Sequence, residues 1–151
     1  MRPQDILLPD SGRFIFGRAL GKGQKGQVVE VTDSQGSALV AKIGQTQKAC
    51  NELYHEAMVL RMLQHLDVFP HFVGFFADSD PHTHFLVLER FHGSLEDLCR
   101  KDYELVESDI TSIGIQVLTQ LQLMHEMNLA HGDLKAKNMA VASIKPLKIP
   151  D

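Results

Sequence analysis

A lysine set inside an apolar, strand-like run limits the folds open to this chain more than any other feature. Leu39-Val40-Ala41-Lys42-Ile43 reads as a β-strand, and a cation within it is costly unless a partner meets it. Glu56 is the candidate partner. Residues 51–66 carry Leu53, Ala57, Leu60 and Leu63 at helical spacing, and Glu56 lies within that apolar face rather than opposite it. A carboxylate facing inward implies a cation opposite, so a helix must be laid against the strand to let the two charges meet. Two alternatives stay open: Glu56 stands at the rim of its face while Lys42 snorkels to water, or Glu52, one turn earlier, is the partner.

Upstream, Gly21-Lys22-Gly23-Gln24-Lys25-Gly26-Gln27-Val28 fits the pattern G-x-G-x-x-G-x-V. It falls between the strand-like stretches 14–20 and 28–31. That context points to a glycine-rich hairpin over phosphates, not to the strand-to-helix turn of a dinucleotide site. Glycine suits the task because backbone amides approach phosphate oxygens closely only where no side chain intervenes. An ordinary hairpin whose glycines supply positive φ is the alternative. Asp33-Ser34-Gln35-Gly36 is the clearest hairpin turn, and 72–76 and 85–88 read as two further strands around a polar stretch.

Beyond residue 91 the character becomes helical. Ser94 with Asp97 three residues on resembles a helix-opening cap, and 108–128 places Ile110, Ile113, Val117, Leu121 and Met124 on one face. Directly after that helix comes Ala130-His131-Gly132-Asp133-Leu134-Lys135-Ala136-Lys137-Asn138. A polar loop closing a helix would explain single residues of this segment. It does not explain His, Asp, Lys and Asn at fixed offsets, H-x-D-L-x-x-x-N, after the glycine loop and the strand lysine.

In this order the segments resemble a eukaryotic-type protein kinase. The resemblance implies an α+β, protein-kinase-like fold: an antiparallel β small lobe with one helix, then the start of a helical large lobe. It divides the chain into an N-terminal extension (1–13), a small lobe with hinge (14–91) and a partial large lobe through the catalytic loop (92–151). By the same resemblance Asp133 accepts or orients the substrate hydroxyl proton, Lys135 steadies the transferred phosphoryl group and Asn138 binds magnesium. ATP falls to Gly21, Gly23, Gly26, Val28, Ala41, Lys42 and Glu56, with adenine against main-chain groups at Glu89 and Phe91. Asp97 either lies near the ribose or caps its helix. Asp151 is either the second metal ligand or a frayed acidic end. Gly132 stands where most protein kinases carry arginine, and this, with Gly93 to Leu98, is similar to the casein-kinase-one and vaccinia-related group. It lowers the expectation of control by a phosphorylated activation loop.

The expected activity is transfer of the ATP γ-phosphoryl to a serine or threonine hydroxyl of a protein, with Mg2+ as cofactor. Thirteen positions after Asn138 the sequence ends at Asp151 with no Phe-Gly following, so the domain reads as incomplete. The helix over 108–128 is then expected to leave apolar positions exposed and the chain to be marginally stable alone. Two alternatives follow: an inactive truncated kinase that binds nucleotide or docks a partner kinase, and a small-molecule phosphotransferase of the aminoglycoside-kinase type. Lys135 discriminates, because small-molecule kinases generally lack that lysine. The net charge of −4 argues against nucleic acid. No apolar run reaches the ~20 residues that cross a bilayer, and Asp5, Pro9 and Asp10 spoil a signal peptide. Cys50 and Cys99, far apart, fit a reduced cytoplasmic or nuclear compartment; none of the eight histidines sits at a ligand spacing.

Overall fold

Period-two alternation and tight turns fold the first part of the chain into a meander. In the computed structural model, which describes residues 7–8, 14–23, 26–66, 68–78, 82–100, 103–144 and 147–148, the strands are β1 (Leu7–Leu8), β2 (Phe14–Gly23), β3 (Gly26–Asp33), β4 (Ala38–Gly44), β5 (Phe72–Ala77) and β6 (His84–Glu89). They form one sheet in the order β1-β5-β6-β4-β3-β2, antiparallel except where β1 joins β5 in parallel. Within the N-terminal extension, Leu7 and Leu8 pair with Phe75 and Phe76. Asp33 makes the β3–β4 turn. Its Oδ1 accepts from the N–H groups of Gln35 and Ser37 at 2.9 and 2.8 Å, and Gly36 takes the positive φ of 81° that closes it.

Side chains alternate across the sheet, so it builds two cores. One face gathers Phe14, Val29, Val31, Leu39, Ala41, Phe76, Phe85 and Val87. The other carries Phe75, Leu86 and Leu88 and is covered by helix α1 (Gln47–Leu63) through Leu53 and Ala57. Each large side chain fully buried in this way contributes about 1.5–3 kcal/mol. Helix α1 begins four residues before the periodicity suggested, because the Thr46 hydroxyl accepts from Ala49 N–H at 3.2 Å and caps it. The helix comes down on the end of β4: a Cβ at Gly44 would lie 3.0 Å from both the Cys50 nitrogen and Leu53 Cδ1.

The chain divides into two units, residues 1–65 with 70–90, and residues 66–69 with 91–151. In the second, α2 (Leu95–Arg100) opens on a reciprocal cap: Ser94 Oγ accepts from Asp97 N–H at 3.1 Å while Asp97 Oδ2 accepts from Ser94 N–H at 3.0 Å. Helix α3 (Glu107–Glu126) closes where Asn128 adopts φ 59°, with Leu129 N–H reaching Met124 O and Asn128 N–H reaching His125 O, both at 2.9 Å. This is a Schellman arrangement, with asparagine serving where glycine is commoner. Leu95, Leu98, Ile113 and Val141 form the core of this unit. Residues 66–69 belong here because Gln120 Nε2 donates to Val68 O at 3.0 Å. Two short strands, β7 (Ser143–Ile144) and β8 (Leu147–Lys148), pair as a hairpin. On α3 the expected apolar face is only partly used: Ile113 and Met124 are buried, but Ile110 is 59% exposed; off that face Ile115 and Leu118 are more exposed still.

Candidate active site

In the first unit Lys42 lies in the middle of β4, between Val28 of β3 and Leu86 of β6. Its Nζ donates to Glu56 Oε1, so the inward carboxylate of α1 meets the strand cation and Glu52 does not. Both side chains stay 38% exposed. They are thus packed enough to be oriented and open enough to meet a ligand anion. Residues directly opposite in an antiparallel pair share a face, which puts Val28 beside Lys42.

Ala41 does not belong to that group. It is fully buried in the opposite core, among Val29, Leu39 and Val87, because consecutive strand residues point to opposite faces. Val40, two positions before Lys42, shares the face of Lys42 and packs on the α1 side. Ala41, expected beside the nucleotide, is thus turned away from the face of Lys42, and Val40 is the residue of β4 that shares it. Strict alternation counted back from Lys42 would have found it.

The glycine-rich segment is a β2–β3 hairpin in which Gly21 pairs with Val28 and Gly23 with Gly26; Gln24 and Lys25 lie outside the described residues. Its glycines serve different ends. Gly26 has φ 128°, and a Cβ there would fall 2.1 Å from the carbonyl oxygen of Ile43, so it is fixed by contact with β4. At Gly21 a Cβ would meet nothing within 4 Å. The backbone there is bare toward open space, as an approach by phosphate oxygens requires. At the end of β6, Glu89 N–H donates to His71 O at 3.0 Å. A main-chain contact from Glu89 to a ligand is thereby left to its carbonyl. Phe91, half-buried, begins the second unit.

In the second unit the loop after α3 folds around Asp133. Lys135 Nζ donates to both carboxylate oxygens at 2.8 Å. Asn138 Nδ2 donates to Asp133 O at 2.8 Å and to its Oδ2 at 2.9 Å. Asp133 N–H reaches His131 Nδ1 at 3.3 Å. Gly132 has φ 72°, a backbone that side chains rarely adopt, which gives a local reason for glycine in place of arginine. The 3₁₀ turn Ala136–Asn138, closed by Asn138 N–H to Lys135 O at 2.8 Å, sets Asn138 back over Asp133. The loop is tied down behind by Leu95 N–H to Met139 O at 2.8 Å and Val141 N–H to Gly93 O at 2.9 Å. Asp97 goes to the cap: its Oδ2 also accepts from Ser94 Oγ at 2.6 Å. Asp151 lies outside the described residues.

The donor set suits magnesium. With the Asn138 amide N–H groups turned onto Asp133, its Oδ1 is left toward solvent. A hard cation that takes oxygen ligands and keeps most of its waters needs only one or two such groups from protein. Among the described residues no cluster of three or more His, Cys, Asp or Glu side chains could hold a metal unaided.

Comparison with known proteins agrees with this geometry. The family model described as protein kinase domain matches residues 14–151. The B1 kinase of monkeypox virus is 24% identical over 163 aligned positions, covering 99% of this chain and 54% of that protein. Serine/threonine-protein kinase AFC1 of Arabidopsis thaliana is 32% identical over 157 positions, covering 97% and 32% respectively. An Aurora kinase of Yarrowia lipolytica is 31% identical over 145 positions, covering 91% and 38%. The chain thus spans about half the length of the B1 kinase and about a third of the other two. With the glycine hairpin, the Lys42–Glu56 pair and the Asp133 loop standing in family order along a match that runs over nearly all of it, the chain belongs to the protein kinase family.

Proposed function

We propose that the chain binds Mg·ATP and passes the γ-phosphoryl group to a serine or threonine hydroxyl of a protein. The observation that carries this is the Asp133 carboxylate, which gathers Lys135 and Asn138 within one short loop. Phosphoryl transfer relies mostly on positioning and neutralisation of charge, and this loop supplies both. Asp133 accepts the hydroxyl proton of the substrate and aims its oxygen. Lys135, drawn from Asp133 toward the transferred group, offsets its negative charge. Asn138, its Nδ2 committed to Asp133, would hold magnesium through its Oδ1, and the metal would supply neutralisation of phosphate oxygens. In the first unit Lys42, oriented by Glu56, pairs with phosphate oxygens under the bare backbone at Gly21, while Val28 and Val40 offer the base an apolar surface. Lys135 and the relatives named as serine/threonine kinases favour a protein over a small-molecule acceptor.

The fitting partners are ATP and a protein substrate or partner kinase. Both cysteines are free thiols, in line with a reducing cytoplasmic or nuclear setting. Among the described residues no helix is long and apolar enough to cross a membrane.

The test is transfer of label from Mg·ATP to serine- and threonine-containing peptides by the wild-type chain and by Asp133→Asn. Transfer by the wild type alone supports the reading; equal transfer by both overturns it. ATP-dependent thermal stabilisation without transfer would reduce the role to nucleotide binding.

A further inference from the structure

Glu30 stands on β3 directly opposite Val40, on the face that carries Val28 and Lys42. Its Oε1 accepts from Arg18 Nε at 2.8 Å and from Arg90 Nη2 at 2.9 Å. Arg18 comes from β2, at a register shift between Phe16 and Ala19. Room for the carboxylate is made by Gly17, where a Cβ would lie 3.2 Å from Glu30 Cβ and 3.5 Å from Oε2. Arg90 follows directly on β6 and is the last residue of the first unit.

Strands β3 and β6 are separated by β4, about 10 Å across the sheet, and Arg90 lies two residues beyond Leu88, the residue level with Glu30. Their side chains must span β4 on the face of Val40 to meet. A single exposed ion pair contributes little. Here two guanidiniums share one oxygen, and Glu30 is the most covered of the three, 22% exposed against 35% for Arg90 and 75% for Arg18. The geometric effect is specific: Arg90 lies between Glu89 and Phe91, the two main-chain positions proposed above to meet adenine. Glu89 is already tied by its N–H to His71. The Glu30 bridge ties the next residue.

We propose that Glu30 and Arg90 form a positioning pair that spans β4 and fixes the connecting backbone from which the nucleobase is read, so that the pair sets selectivity for adenine over guanine. This rests on the nucleotide reading of the site. Glu30 and Arg90 pair with each other and Arg18, while Lys42 pairs with Glu56, so the triphosphate contribution from Lys42 is independent of them. A backbone free to shift loses the match to one base edge without losing the phosphates.

The experiment measures the dissociation constants of the wild-type chain, Glu30→Gln, Arg90→Ala and Arg90→Lys for Mg·ATP and Mg·GTP, with a thermal melt of each. The expected result is a preference for ATP that narrows roughly three- to tenfold in Glu30→Gln and Arg90→Ala, through weaker ATP binding at unchanged GTP binding. Arg90→Lys, which keeps the charge, is expected to recover part of it. An unchanged ATP-to-GTP ratio in variants that still melt cooperatively overturns the positioning role alone. Equal losses for both nucleotides would also overturn it, marking the pair as general support of the fold. Absence of any nucleotide binding by the wild type overturns the nucleotide reading and this inference with it.

Discussion

The two carboxylate oxygens of Asp133 hold Lys135 and Asn138 within one short loop. Asp133→Asn is expected to lower transfer roughly a hundred- to ten-thousand-fold while nucleotide affinity, measured by calorimetry, changes little. The glycines of the hairpin separate fold from ligand at the same scale. Gly26→Ala forces a side chain into the Ile43 carbonyl at a positive φ and is expected to cost about 2–4 kcal/mol in a denaturant titration. Gly21→Ala meets open space, so it is expected to leave the melt unchanged and to weaken Mg·ATP binding. A sequence pattern treats the two alike. What was legible from sequence was Glu56 as the candidate partner of Lys42; the contact itself decides against Glu52 and a snorkelling lysine. A motif alone does not give the face, because it names residue types, whereas the alternation of the pleat puts Val40 and not Ala41 on the lysine's face.

Element boundaries follow from single polar contacts that periodicity does not register. Helix α1 starts at Gln47 because Thr46 caps it, and Thr46→Ala is expected to destabilise the first unit by about 1 kcal/mol, read from its unfolding midpoint. Strand β1 was invisible for a different reason. Two leucines have no period, and they become a strand only because β5 offers an unpaired edge. The Ser94–Asp97 cap was legible because its two side chains answer each other across a fixed interval. Of the two roles open to Asp97, the capping one is made through its Oδ2 on Ser94.

For the molecule as a whole, acid is expected to act in two stages. Burial holds His84, which is stacked on Phe75, below its ordinary value near 6.5. Its Nδ1 has no hydrogen-bond partner among the described residues. Between 6.5 and that lowered value the unfolded chain binds a proton that the folded chain refuses, so stability falls as pH drops through this window. His84→Phe keeps the stacked ring and is expected to flatten this stage of a melting-temperature profile. The second stage comes from carboxylates. The Arg18 hydrogen bond holds Glu30 below 4.5, and the Ser37 N–H holds Asp33 below 3.8. Both favour the folded state above those values and stop doing so as pH falls through their lowered ones. The exposed Ile110, Ile115 and Leu118 on α3 match the expectation that this helix is incompletely covered. Leu118→Gln with Ile115→Gln is expected to reduce self-association in light scattering. One detail of α1 also has a practical use. The Cys50 thiol is buried and donates to the carbonyls of Gly44 and His82 at 3.4 and 3.1 Å, while Cys99 is exposed. A maleimide should therefore label Cys99 at once and Cys50 only when the helix lifts from its sheet. The slow step of that labelling is a built-in clock for how often the glutamate of α1 leaves its lysine.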